Sequence, residues 1–187
     1  MKGMAWLAAA LLIMAGCSGR ASEFKADTFS KDDLCIVESG GSRAKICYGD
    51  SRSEVEKALG QGKDTGALGY VYDNGVTVMY RDDAAAGILL KEESAGKFKT
   101  VRGASISDSK SSIKRLYGEK VALDATEHNL DYIYDSRADR FFDGGPNDPR
   151  QTMEDSVDTY ILSALFNEDG YATLLMVIDR RMAVYFK

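Results

Sequence analysis

DSRSEVEKALG, from Asp50 to Gly60, and DSKSSIKRLYG, from Asp108 to Gly118, are nearly the same eleven residues written twice, 58 positions apart. In the first copy Ser51 and Glu54 fit a capping box, in which the serine oxygen takes the backbone N–H three residues on and the glutamate returns the bond. Val55, Ala58 and Leu59 then share one helical face, and Gly60 stops the helix. In the second copy Asp108 and Ser109 offer the cap, Ile113, Leu116 and Tyr117 form the face, and Gly118 is the stop. Each stripe is narrow, so each helix must lie on another element. The stretch after each helix reads as β. After the first come Gly69–Tyr72, an Asn74-Gly75 hairpin turn, Val76–Tyr80, a turn at Arg81–Asp83, and Ala86–Lys91. After the second come Leu130–Tyr134, a long connection, Thr159–Phe166, a turn at Asn167–Gly170, Tyr171–Ile178, and Met182–Phe186 as a closing strand. The pattern predicts an α+β fold of two helix-plus-three-strand pseudo-repeats, 34–95 and 96–187. They share one antiparallel sheet with both helices on one face.

The first 33 residues stand apart from this pattern. Lys2 supplies a positive start, and Met4–Met14 is an apolar run too short to span a membrane as a mature helix. The run ends in Leu12-Ile13-Met14-Ala15-Gly16-Cys17. Residues 18–33 are polar and read as a flexible tether, with an average reach of about 20–25 Å. The folded part is expected to begin at residue 34. The whole chain carries 24 basic and 29 acidic residues, a formal charge of −5, and gives no electrostatic footprint for nucleic acid. Cys35 and Cys47 flank Gly40-Gly41, where a hairpin would bring them nearly opposite each other. A disulfide closing that loop would stabilise by about 3 kcal/mol on a chain-entropy account. The alternative is two free buried thiols.

Small residues directly before Cys17 resemble the lipobox of bacterial lipoproteins, with Met14 where leucine is usual. The resemblance implies a signal peptide over 1–16, cleavage before Cys17, and acyl chains, palmitate among them, on the new N-terminus. Several chains on one residue anchor stably where one does not. Ser18, in place of aspartate, implies an outer-membrane address facing the periplasm. Gly49-Asp50-Ser51, Val55, Leu59-Gly60 and Tyr70-Val71-Tyr72 resemble the small outer-membrane lipoproteins of the SmpA/OmlA type. Two such units in tandem are similar to the β-lactamase-inhibitor-protein fold, in which a concave sheet grips a partner enzyme. Those assembly lipoproteins have a single unit. The second copy here also has Ile106-Ser107-Asp108 where the first has glycine, so no partner-contacting residue carries over.

Residues with chemistry are few. His128 is the single histidine and lies in a polar connection, with no nucleophile elbow to serve. Asp131, Asp135, Asp139 and Asp143 recur every fourth residue but form no calcium loop. Gly144-Gly145-Pro146 lacks the helix and lysine of a phosphate cradle. No cofactor, metal or catalytic residue is expected. Two surfaces suit protein binding. One is the long connection Ser136–Val157, which holds both prolines of the chain and carries Arg140, Phe141, Phe142 and Asp143. Aromatics beside arginine make interface anchors, although one phenylalanine could instead tuck into the core. The other is the sheet face away from the helices, on which alternation puts Thr77, Met79, Arg81, Ser163 and Leu165. The sequence therefore reads as a non-enzymatic lipoprotein that binds a protein of the cell envelope, in outer-membrane assembly or maintenance. The alternative is an inhibitor or immunity protein that blocks a periplasmic hydrolase or toxin.

Overall fold

The computed structural model describes residues 24–40, 44–66, 69–142 and 155–183. Over these residues the chain is mixed α/β, mostly sheet with three helices. A small sheet of three strands is ordered β2-β1-β7, from β1 (Cys35–Glu38), β2 (Lys45–Cys47) and β7 (Phe98–Thr100). The large sheet has nine strands. They are β3 (Lys63–Asp64), β4 (Tyr70–Val71), β5 (Val76–Arg81), β6 (Ala84–Leu90), β8 (Leu123–Thr126), β9 (Asn129–Asp135), β10 (Arg140–Phe141), β11 (Thr159–Phe166) and β12 (Ala172–Asp179). Their order is β10-β9-β11-β12-β6-β5-β4-β3, with β8 also on β9, and every pairing is antiparallel. The centre is the β6–β12 seam, where Leu90, Leu89, Ile88 and Gly87 face Leu175, Met176, Val177 and Ile178. No described helix is long and apolar enough to cross a membrane.

The doubled stretches form α1 (Arg52–Leu59) and α2 (Lys110–Tyr117). Ser51 caps α1 and forms the full capping box with Glu54, while Ser109 caps α2 through the Ser112 N–H. The same wiring recurs around each helix start. Gly49 N–H donates to Ala85 O, and Ala85 N–H to Asp50 O; Ser107 N–H donates to Ala172 O, and Ala172 N–H to Asp108 O. The Asp50 carboxylate accepts from Cys47 N–H, as Asp108 does from Ser105 N–H. Ser51 bridges to Ala84 and Ser109 to Tyr171. The glycine missing from the second copy has left its backbone behind: Ser107 holds φ +74°, in the left-handed region where Gly49 sits at +90°.

Alternation along the strands builds two apolar layers. The larger holds Val76, Val78, Leu162, Ala164 and Phe166 with Val55, Ile113 and Tyr117 from the helices. The second, on the opposite face of the strands, holds Met79, Ala86, Leu89, Ile133, Ile161, Met176, Ile178 and Met182. Cys35 and Cys47 are directly paired in register, with sulfurs 2.13 Å apart, at bonding distance. The Gly41 half of the hairpin turn lies outside the described residues.

Two expectations need correction. The apolar pattern points to a closing strand from Met182, but Arg180–Ala183 form a short helix, α3, and residues 184–187 lie outside the described region. The Asp179 carboxylate accepts the Met182 N–H and starts the turn. The tether also does not run to Asp33. From Phe24 onward the chain is a strap packed on the body by Arg102, whose guanidinium meets the Asp33 carboxylate through Nε and Nη2, the latter at 3.0 Å. The remaining donors reach Lys25 O at 2.6 Å, Thr28 O at 2.6 Å and Leu116 O at 3.1 Å. Asp27 N–H donates to Tyr117 O at 2.8 Å, and Phe29 is buried against Tyr134. Arginine is needed here because only its planar fork carries five donors that can bind a carboxylate and several carbonyls together.

Candidate partner-binding surface

The two surfaces expected to bind protein have different fates. Thr77 and Met79 lie on the face that alternation gives them, but that face is closed over its middle: they are 1% and 3% exposed. Met79 packs with Leu89, Met176 and Met182. The Thr77 hydroxyl oxygen is buried without a hydrogen-bond partner. Both side chains therefore serve the second apolar layer and are not open to a partner. A strand whose other face is also buried needs cover on both sides, as here.

Arg81, at the end of β5, is partly exposed and spends its guanidinium on Asp179, a fully buried carboxylate at the end of β12. Arg81 Nη2 also donates to the Tyr48 hydroxyl at 3.1 Å, which donates to Asp179 at 2.7 Å. Burial first, and then the bond and charge of Asp179, push Tyr48 up to about 12. The triad ties the β2–α1 connection to the ends of both halves of the large sheet. It is a part-buried network built on a fully buried carboxylate, and such networks rigidify the structure around them.

Arg140, Phe141 and Phe142 form the outer edge of the large sheet. Phe141 pairs with Tyr134 in register, and its ring stands 5.5 Å from Tyr134 and 6.3 Å from Phe29. Phe142 packs on the second layer, under the Arg140 guanidinium at 5.6 Å. The two neighbouring rings thus point into the two opposite layers, as alternation on a strand edge requires. Both are partly buried, and Arg140 is exposed. Asp143 and residues 144–154, including Gly144-Gly145-Pro146, lie outside the described residues. His128 is exposed in the β8–β9 turn, and its carbonyl accepts from Phe166 N–H. Asp135 caps the following turn through Arg137 and Ala138 N–H, while Asp139 accepts the Tyr134 hydroxyl. Among the described residues no group of three metal-ligating side chains converges.

Among the described residues, large apolar side chains of the second face are exposed at the β11–β12 hairpin end. Leu165 is 36% exposed, beside a half-buried Leu174 across the strand pair, and Tyr171 is 51% exposed just beyond. Inward of them lies Asp131, buried and raised above the usual carboxylate range by desolvation, against hydrogen bonds from Ser163 and Asn129 that lower it. This is an apolar rim around a small polar network. Alternation places Ser163 and Leu165 on this face. It is silent on Tyr171 and Asp131, because a residue at a hairpin end and a carboxylate within a strand carry no local sign of their surroundings.

Comparison with known proteins adds no relative: no family model, no curated protein and no solved structure matches the chain.

Proposed function

We propose that this chain is a non-enzymatic, periplasm-facing lipoprotein. It is anchored in the outer membrane through acylated Cys17 and binds a protein of the cell envelope in outer-membrane assembly or maintenance. The observation that carries the binding half is exposed Leu165 and Tyr171, with half-buried Leu174, at one end of the second sheet face. Large apolar side chains gathered at one place on a surface mark an interaction site, and tyrosine is a frequent anchor. The membrane half rests on the Lys2 to Cys17 pattern and its lipobox resemblance.

The finer architecture belongs to the same reading: two helix-plus-three-strand pseudo-repeats joined at the β6–β12 seam with both helices on one face, as in the SmpA/OmlA and β-lactamase-inhibitor-protein resemblance. The paired wiring of Gly49/Asp50 to Ala85 and Ser107/Asp108 to Ala172 supports it. So does the gathering of Val55, Ile113 and Tyr117 in one layer. The inhibitor alternative draws less support, because Phe141 and Phe142 pack into the two layers and do not stand out as a plug.

Photo-crosslinkers placed at Leu165, Tyr171 and, as a control, exposed Lys63 test the proposal in living cells. Adducts with envelope-assembly components from the first two positions alone are the expected result. A single soluble hydrolase or toxin near one to one would favour the inhibitor reading. Equal adducts from all three positions, or none, would remove the surface from consideration.

A further inference from the structure

The strap changes what a lipid on Cys17 would do. A tether running to Asp33 would let the body turn freely. The described chain instead joins the body at Phe24, whose ring lies 5.2 Å from the Arg102 guanidinium. Only residues 18–23 remain between the acylated cysteine and that contact. Seven residue steps span at most about 25 Å. The junction is also far off-centre. Phe29 touches Tyr134 of β9 and Phe141 of β10, and Asp27 binds Tyr117 O and Lys120 N–H at the end of α2. The strap therefore sits at the β10 end of the large sheet. The β3 end is seven strands away in the order β10-β9-β11-β12-β6-β5-β4-β3, or about 34 Å at the usual strand spacing. That separation exceeds the reach of the leader.

We propose that the strap is an orienting mount: it holds the β10 edge and the end of α2 beside the lipid surface and turns the β3 edge into the aqueous space. The proposal rests on the lipid-anchor reading above. The mount is mechanical, not electrostatic. The exposed Lys25, Lys31 and Lys120 near it are offset by exposed Asp32 and Glu119 and by half-buried Asp27, so neither added salt nor anionic lipid should alter the orientation.

The full lipidated chain can be placed in vesicles of phosphatidylethanolamine and phosphatidylglycerol carrying a headgroup acceptor dye. Single donor labels go on Lys120→Cys or Lys63→Cys, both at exposed positions. Flotation of the vesicles is checked first. With the protein floating, several-fold greater energy transfer from position 120 than from 63, unchanged by salt, is expected. The contrast should shrink when Arg102→Met loosens the strap. Equal transfer from both labels, or a contrast that survives Arg102→Met, overturns the mount and leaves the lipid anchor standing. A chain that fails to float overturns the anchor, and the mount with it.

Discussion

Replacing Arg102 by methionine should loosen the strap and take much of the stability with it. Arg102 and Asp33 are 2% and 1% exposed at their side chains. The substitution keeps most of the apolar stem but strips five donors. It leaves a buried carboxylate without its counter-charge, and the carbonyls of Lys25, Thr28 and Leu116 without their donor. Breaking a buried pair from one side costs about 3–5 kcal/mol, mostly from the charge left behind. At roughly 2–4 °C per kcal/mol for a domain of this size, Tm should fall by about 6–20 °C. The loss has a ceiling if the strap peels off while the rest holds, because Asp33 then regains water. Hydrogen exchange separates the two cases: peeling speeds residues 25–33 alone, and global loss speeds the β6–β12 seam as well. The cycle closes with Asp33→Leu. The double variant Asp33→Leu with Arg102→Met should recover much of the loss, since an apolar pair of similar volume often replaces a buried ion pair without cost. An Arg102→Met protein with unchanged Tm and unchanged exchange over 25–33 would refute the account of the strap. A double variant no better than the sum of the singles would show that the carbonyl bonds, not the uncompensated charge, carry the energy.

Gly60 and Gly118 both hold positive φ with extended ψ, a region nearly reserved for glycine, so alanine at either should cost about 1–3 kcal/mol by urea denaturation. Gly118→Ala should cost clearly more, because its Cβ would overlap Asp27 Oδ1 and backbone N, whereas the space at Gly60 is open. Thr77→Val should raise stability by about 1 kcal/mol, since the hydroxyl is buried with no partner and a methyl group fits the same volume. The neutral Tyr48 phenol is favoured in the fold, with its pKa raised from 10.0 to about 12. Its contribution is therefore full below pH 10 and is lost as pH climbs from 10 through 12. Tyr48→Phe should flatten that part of the alkaline stability curve and remove one late step from the phenolate absorbance titration. Phe141→Ala and Phe142→Ala should each lower Tm, as packed rings do; a double variant with wild-type Tm would instead return the edge to the status of a free binding loop.

The parts of the fold legible in the sequence are local. Ser51, Glu54 and Gly60 announce their helix through short-range hydrogen bonds, and Ser109 and Gly118 repeat the message. The strands Val76–Arg81 and Thr159–Phe166 show as apolar runs, and their alternation correctly divides Val78 from Met79 and Leu162 from Ile161. Cys35 and Cys47 meet because the short apolar runs on either side of Gly40-Gly41 pair in register. The hidden parts are non-local. Nothing near Asp33 foretells Arg102, 69 positions on, and a polar stretch without periodicity looks like tether until its carbonyls find a donor. The strand Phe98–Thr100 is too short for periodicity to register, yet it completes the small sheet. Alternation puts Thr77 and Met79 on the right face, but their burial depends on packing that alternation does not encode. Asp179–Arg181 reads as a turn into a further strand, but the Asp179 side chain accepts the Met182 N–H and a short helix starts there instead.

The outer strands of the large sheet have a bearing on crowding. If the proposed lipid anchor holds, the protein is concentrated in two dimensions, where any bare strand edge becomes a template for its neighbour. Here the path of strands ends in two-residue stubs. One is Lys63–Asp64, both charged and exposed, and the other begins with exposed Arg140. Short, charged edges give an incoming strand too few backbone partners and oblige it to bury ions. The described sheet can therefore be eight strands wide without recruiting a further strand from another copy, and dense lateral packing need not end in fibres.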